Sequence, residues 1–302
     1  MRHSKKFLME KENYIVNQNP QTLPQAVAEA DASTIVIKPS GSALDFEWRE
    51  YWKYRELFYF LALRDIKVRY KQTALGVAWV LLQPIATTLI FAVLFTRFAP
   101  TNAFPVPFPL FAFSGFVLWT FINAGVSYSA NSLINHSGLI TKIYFPRMIV
   151  PAAAVAACFL DLLIGLVSLT VAMIFYGIVP TWKIVFAPFF LLLILMLTIG
   201  VGILLSALNV KYRDIKQLLP FAIQLWLFVS PVFYSLKLLP ENLVWLWKIN
   251  PLTGILENFR ASLFGLEFDT IGIAFSVIVT TAVFLAALYV FRRMEDDFAD
   301  VI

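Results

Sequence analysis

The sequence predicts an all-α integral membrane protein with six membrane-crossing helices. Three observations lead there. Of its 302 residues, 60% are hydrophobic and 14% are charged, where soluble domains carry about a quarter charged residues. Six apolar stretches have crossing length, roughly 20 residues at about 1.5 Å each. The cations bunch between them: Arg64, Lys67, Arg69 and Lys71 form a cluster, and no further charge appears until Arg97.

Residues 1–45 are polar and mixed, with one β-like run, "STIVIKPSG". They are expected to form a largely disordered cytoplasmic tail. The basic start meets no apolar run, so no cleaved leader is expected. In 46–71, Trp48, Trp52, Tyr59 and Ala62 recur at helical spacing, as do Tyr51, Phe58 and Leu61, with charges between them. That pattern predicts an amphipathic interfacial helix. Crossings are expected near 73–97, 108–131, 148–177, 184–208, 217–236 and 270–291, within a transmembrane domain of 72–293. A cytoplasmic tail at 294–302 follows.

The loops set the topology. With the N-terminus inside, the inner connections hold eleven cations near the membrane: Arg64, Lys67, Arg69, Lys71, Lys142, Arg147, Lys211, Arg213, Lys216, Arg292 and Arg293. The outer ones hold five: Arg97, Lys183, Lys237, Lys248 and Arg260. The positive-inside rule puts both termini in the cytoplasm. The net charge of +5 then reports membrane anchoring, and no nucleic-acid partner is expected.

Little in the chain points to catalysis. No G-x-x-x-x-G-K-[ST] sequence occurs, the two histidines (His3 and His136) have no metal-ligand neighbours, and Cys158 is the sole cysteine. No catalytic residue, metal site or cofactor on this chain is expected. His136 is the one candidate for a membrane-surface enzyme. Asp161, the only charge within a crossing, supports two readings: a proton or cation relay of a secondary transporter, or a buried acid bonded to Ser, Thr or Asn of a neighbouring helix.

Other features suggest a path. In the second crossing Trp119, Asn123 and Val126 share a side, and Asn123, Ser127 and Asn131 follow at i, i+4, i+8, a polar face suited to a bundle interior or an aqueous path. Thr198, Gly202 and Ser206 in the fourth read as close helix packing. In the fifth, Pro231 predicts a kink among Trp226, Phe228, Phe233 and Tyr234, rings suited to stacking on sugars. Between crossings two and three, 132–140 predicts a short surface helix whose Leu133, Leu139 and Ile140 seek a cleft in another protein. The outer stretch 238–265 predicts two short interfacial or re-entrant helices broken at Asn250-Pro251, with Glu257 and Arg260 pairing across one turn.

Taken jointly, "LRDIKVRYKQTALGVAWVLLQPI", "KIYFPRMIVP", "LNVKYRDIKQLLP", "SPVFY" and "INPLTGILENFRASLFG" resemble the transmembrane permeases of ABC exporters for lipid-linked polysaccharides, the O-antigen, capsule and teichoic-acid group. The resemblance covers about 46–293. It implies a homodimer in the bacterial inner membrane, served by two copies of a separate ATPase subunit that bind ATP and Mg, and a channel moving a lipid-linked glycan outward. It assigns 46–71 as a cytoplasmic gate helix, 132–140 as the coupling helix on the ATPase and 238–265 as outer gate helices. Trp79, Trp119, Asn123, Trp226, Phe228, Phe233 and Tyr234 become channel candidates. Trp48, Trp52, Arg64, Lys67, Arg69 and Lys71 become candidates for the gate and the lipid headgroup, and Leu133, Asn135, His136, Leu139 and Ile140 for ATPase coupling. Exporters of teichoic acid, small lipids or drugs are the alternatives within the same class.

Overall fold

The structure, a computed structural model, describes residues 48–71, 78–98, 104–212, 214–295 and 298. The expected tail at 1–45 and most of that at 294–302 lie outside the described residues. So do Arg213 and the side chains of Trp48 and Arg97. Among the described residues the regular structure is helical throughout.

Helices α1 (Trp48–Lys53) and α2 (Arg55–Lys71) occupy the expected interfacial segment, separated by a turn at Tyr54. Five long apolar helices follow: α3 (Ala78–Phe98), α4 (Phe108–Asn135), α6 (Ile149–Phe175), α7 (Ala187–Lys211) and α11 (Thr270–Glu295). Among the described residues these five are long and apolar enough to cross a membrane. Between them stand α5 (Ser137–Ile140), α8 (Ile215–Val229), α9 (Glu241–Lys248) and α10 (Pro251–Phe264).

The fifth expected crossing, 217–236, is helical only as far as Val229. α8 has 15 residues, about 22 Å of helix against roughly 30 Å of hydrocarbon. It stops at Val229 because Pro231 forces the residue before it into extended backbone, and Ser230 sits at φ −107°, ψ 139°. Pro231 therefore ends the helix and does not kink it; the proline inside α8 is Pro220. Within 238–265 two short helices form, broken at Asn250-Pro251 as expected. The Asn250 side chain caps α10 by accepting from the Leu252 amide at 3.1 Å, Pro251 opens the helix and Gly265 closes it in the left-handed region at φ +72°.

α4 is the central post. It packs against α6 and α7, with α3, α8 and α10 on its remaining sides, while α11 covers α7 and α10. The α4–α7 crossing is close because Gly202 leaves room for Ser129: a Cβ there would meet the Ser129 Cβ at 2.7 Å. Asn209 of α7 adds a bond to the Ala130 carbonyl of α4 at 2.8 Å. Most of α3 and α8 faces outward. α8 is buried only at Leu219 and Ile223, one turn apart, leaving Leu218, Phe221, Leu225 and Phe228 exposed.

Candidate translocation path and coupling surface

At the end of the bundle expected to face the cytoplasm, α2 shares one apolar core with the foot of the bundle. Leu61 and Ala62 are buried with Leu133, Ile140, Phe145, Met148 and Phe291, and Tyr54, Leu57, Phe58 and Leu139 pack on the edge. Trp52 of α1 and Tyr59, Phe60 and Val68 of α2 are exposed, so the exposed side of this segment is the aromatic one suited to an interface. Two tyrosines tie the start of this segment to the inner loop: Tyr51 Oη lies 4.0 Å from Met148 Sδ, and Tyr54 Oη donates to the Tyr144 carbonyl at 3.5 Å.

The segment expected to be the coupling helix differs in form from that expectation. α4 runs on to Asn135, so Leu133 continues its core face and is fully buried, and Ile140 is buried too. These two do not offer themselves to another protein. α5 is a single turn at Ser137–Ile140, shorter than the expected 132–140. The exposed surface here is Ile134, Asn135, Gly138, Thr141, Lys142, Ile143 and Tyr144. Sequence reasoning passes over Ile143 and Tyr144, because their apolar character alone does not say which residues the bundle will claim. Leu139 and His136 are half-buried.

His136 joins the two inner helices. Its Nδ1 donates to the Ser132 carbonyl at 2.7 Å, since a carbonyl can only accept. In the neutral ring Nε2 is then the acceptor, and it meets Arg64 Nη2 of α2. Arg64 also pairs with Asp65 at 3.0 Å. Lys67 and Lys71 remain on the exposed side of α2, where they are free to face headgroups.

Arg69 turns inward. Its guanidinium pairs with Asp161 of α6, donates to Cys158 Sγ at 3.3 Å and covers the Tyr128 ring at 4.3 Å. Tyr70 Oη donates to the other Asp161 oxygen. Both carboxylate oxygens of Asp161 are thus bonded, by an arginine and a tyrosine and not by the Ser, Thr or Asn expected. An acid so engaged is an anchor for the end of α2 and not a free relay. Arg69 likewise differs from the headgroup role expected of it.

At the opposite end, expected to face outward, the segment after α8 gathers the aromatic residues. Phe233 stacks on Phe91 at 4.3 Å between ring centroids and neighbours Phe116, Phe228 and Tyr234. Phe95 stacks on Phe108 at 5.0 Å. Tyr234 Oη accepts from Trp247 Nε1 at 2.6 Å and donates to the Phe228 carbonyl at 2.8 Å. Trp226 donates to Asn250 at 3.2 Å and meets Trp119 edge-on. Of the channel candidates, Phe228 is 52% exposed, Trp226, Tyr234 and Asn123 are half-buried, and Trp119 and Phe233 are core residues of the protomer. Trp79 is 60% exposed, in the first turn of α3. Phe91 and Phe95, one turn apart on α3, belong to this cluster; their i, i+4 spacing is the available signal.

A polar clamp ties α9, α10 and the start of α11 together at the same end. Lys248 of α9 pairs with Asp269 at 2.8 Å, and Asp269 caps α11 by accepting from the Gly272 amide at 3.0 Å. Asn258 of α10 accepts from the Asp269 amide at 2.8 Å. Burial pushes the Asp269 carboxyl up, but Lys248 and the Gly272 amide outweigh it and hold the pKa below its ordinary 3.8. The clamp is therefore at full strength above pH 3.8 and is lost as pH falls through the lower, folded-state value. In acid titrations followed by the fluorescence of Trp245 and Trp247, a low-pH step is expected in the parent and absent in Asp269→Asn.

Comparison with known proteins agrees with these features. An O-antigen export system permease protein from Myxococcus xanthus is 28% identical over 258 residues, 84% of this chain and 98% of that protein. One of the same description from Klebsiella pneumoniae is 26% identical over 82% of this chain and 95% of its own. A polysialic acid transport protein from Escherichia coli is 22% identical over 78% of this chain and 92% of its own. The family model described as ABC-2 type transporter matches residues 56–264, from the first turn of α2 to the end of α10. The resemblance read from the quoted segments is borne out, and this multi-pass membrane chain belongs to the ABC-2 type transporter family.

Proposed function

We propose that this chain is the channel-forming subunit of an ATP-driven exporter that moves lipid-linked polysaccharide of the O-antigen class from the cytoplasmic to the outer side of a bacterial inner membrane. Two copies enclose the path, and two copies of a separate ATPase subunit bind ATP and Mg and drive it. The observation that carries this reading is alignment along nearly the whole length of permeases named for O-antigen export. The geometry is in keeping with it. The exposed patch at the foot of α4, Ile134 to Tyr144 in sequence, is a seat for a partner that delivers force. α2 lies against that patch through the shared inner core, so force applied there reaches the segment at headgroup level. The aromatic cluster after α8 offers ring faces that bind sugars weakly and without register, which suits a long polar chain too costly to move bare through lipid.

The test is gentle purification from the native membrane, with photo-crosslinkers at Asn135 and Ile143 and mass spectrometry of protein and lipid. A stoichiometric ATPase with a phosphate-binding loop, together with a lipid-linked glycan, is the expected result. A chain recovered alone after crosslinking at both positions overturns the reading.

A further inference from the structure

Among the described residues, Arg260 is the largest fully buried side chain, at 1% exposure. A guanidinium has five N–H donors in a planar fork, and here they meet five acceptors. Nε donates to Ser114 Oγ at 3.2 Å. Nη1 donates to the Pro231 carbonyl at 2.7 Å and to Glu257 Oε1 at 3.4 Å. Nη2 donates to the Val232 carbonyl at 2.5 Å and to the Phe111 carbonyl at 3.3 Å. The Phe111 ring lies under the guanidinium carbon at 3.7 Å, close enough for cation–π attraction.

Three of those acceptors are backbone carbonyls, and two belong to the non-helical segment after α8, where no helix supplies a donor. Gly115 makes the arrangement possible: a Cβ there would overlap both the Val232 carbonyl oxygen and Arg260 Nη2. The pinned residues immediately precede Phe233 and Tyr234, the rings that stand against Phe91 and Trp247.

We propose that Arg260 is a positioning residue, a pin that fixes the backbone at Pro231 and Val232 and so sets the aromatic aperture at the outer end of the path. This rests on the proposed export function. The pin joins α4, α10 and the segment after α8 at one point. Lysine, with three donors on a point charge, cannot bridge the same set.

The native chain suits a direct test, because Cys158, its only cysteine, is buried. Ser235 lies just past the pinned segment and is 5% exposed. In a Ser235→Cys background, outside labelling by a membrane-impermeant maleimide reads the backbone, and entry of a nitrophenyl galactoside into permease-deficient cells reads the aperture. Arg260→Lys is expected to speed labelling about tenfold or more and to admit the galactoside, with ATP hydrolysis by the purified complex unchanged. In Arg260→Ala, millimolar methylguanidine is expected to reverse both effects and methylammonium neither. Ser114→Ala removes one acceptor and keeps the arginine; it is expected to move both readouts in the same direction by less.

Parental labelling in Arg260→Lys overturns the pin. Faster labelling without leak overturns its control of the aperture. If the Arg260 variants fail to assemble, Ser114→Ala decides, and parental values in it overturn the proposal. The labelling needs neither ATPase nor glycan, so it still tests the pin if the export reading fails.

Discussion

Asp161→Ala is expected to destabilise the protein by about 3–5 kcal/mol, because it strands the Arg69 charge. The Arg69 and Asp161 side chains are only 19% and 11% exposed, so water does little to compensate. Asp161 also holds Tyr70, and the variant removes that bond together with the Arg69 pair at the end of α2. The expected picture is earlier thermal unfolding and faster protease cleavage within α2, with a collapse of export. The informative companion is the double variant Asp161→Leu with Arg69→Met. Removing both charges removes the stranded one, so most of the lost stability is expected to return. Additive losses in the double variant would mean that the pair is not the source of the effect. A secondary transporter using Asp161 as its relay predicts instead that Asp161→Asn spares folding and abolishes only coupling.

The second large effect is expected at the α4–α7 crossing. Gly202→Val places branched carbons where even a Cβ would stand 2.5 Å from Ser129 Oγ. Overpacking of this kind costs about 1–3 kcal/mol and more where backbone must move; here two long helices must separate. Asn209, which reaches across to the Ala130 carbonyl, would lose its partner as they do. Thermal unfolding of purified Gly202→Val should show a large downward shift. Gly202→Ala combined with Ser129→Gly moves the small residue to the other helix and is expected to recover part of it. It falls short of full recovery because Ser129 also donates to the Pro151 carbonyl at 3.1 Å.

How much of this is legible in the sequence follows from the range of each interaction. Long apolar runs report themselves, and α3, α4, α6, α7 and α11 form near the expected crossings. The cap at Asn250 and the stop at Gly265 are equally local and are readable at 238–265. What fails depends on distant residues. Arg260 reads as one of five outer-loop cations because its acceptors on α4 lie 146 and 149 positions away. Arg69 reads as a headgroup ligand because Asp161 is 92 positions away. Leu133 and Ile140 look available to a partner because hydrophobicity shows that a residue will be covered and not by what. The fifth crossing reads as helix to 236 because hydropathy counts through Ser230-Pro231, where the backbone does not continue as helix.

The order of residues around Arg260 has a consequence for biosynthesis. Chains emerge from the ribosome N-terminus first, at about 5–20 residues per second. Phe111, Ser114, Pro231, Val232 and Glu257 all precede Arg260, so every acceptor of its guanidinium exists before the charge itself is made. Arg69 is the reverse case: it waits 92 residues for Asp161, about 5–18 seconds at that rate. It waits, however, on a helix expected to lie at the aqueous boundary, where an unmatched cation costs little. The charge destined for the drier site is the one synthesised last.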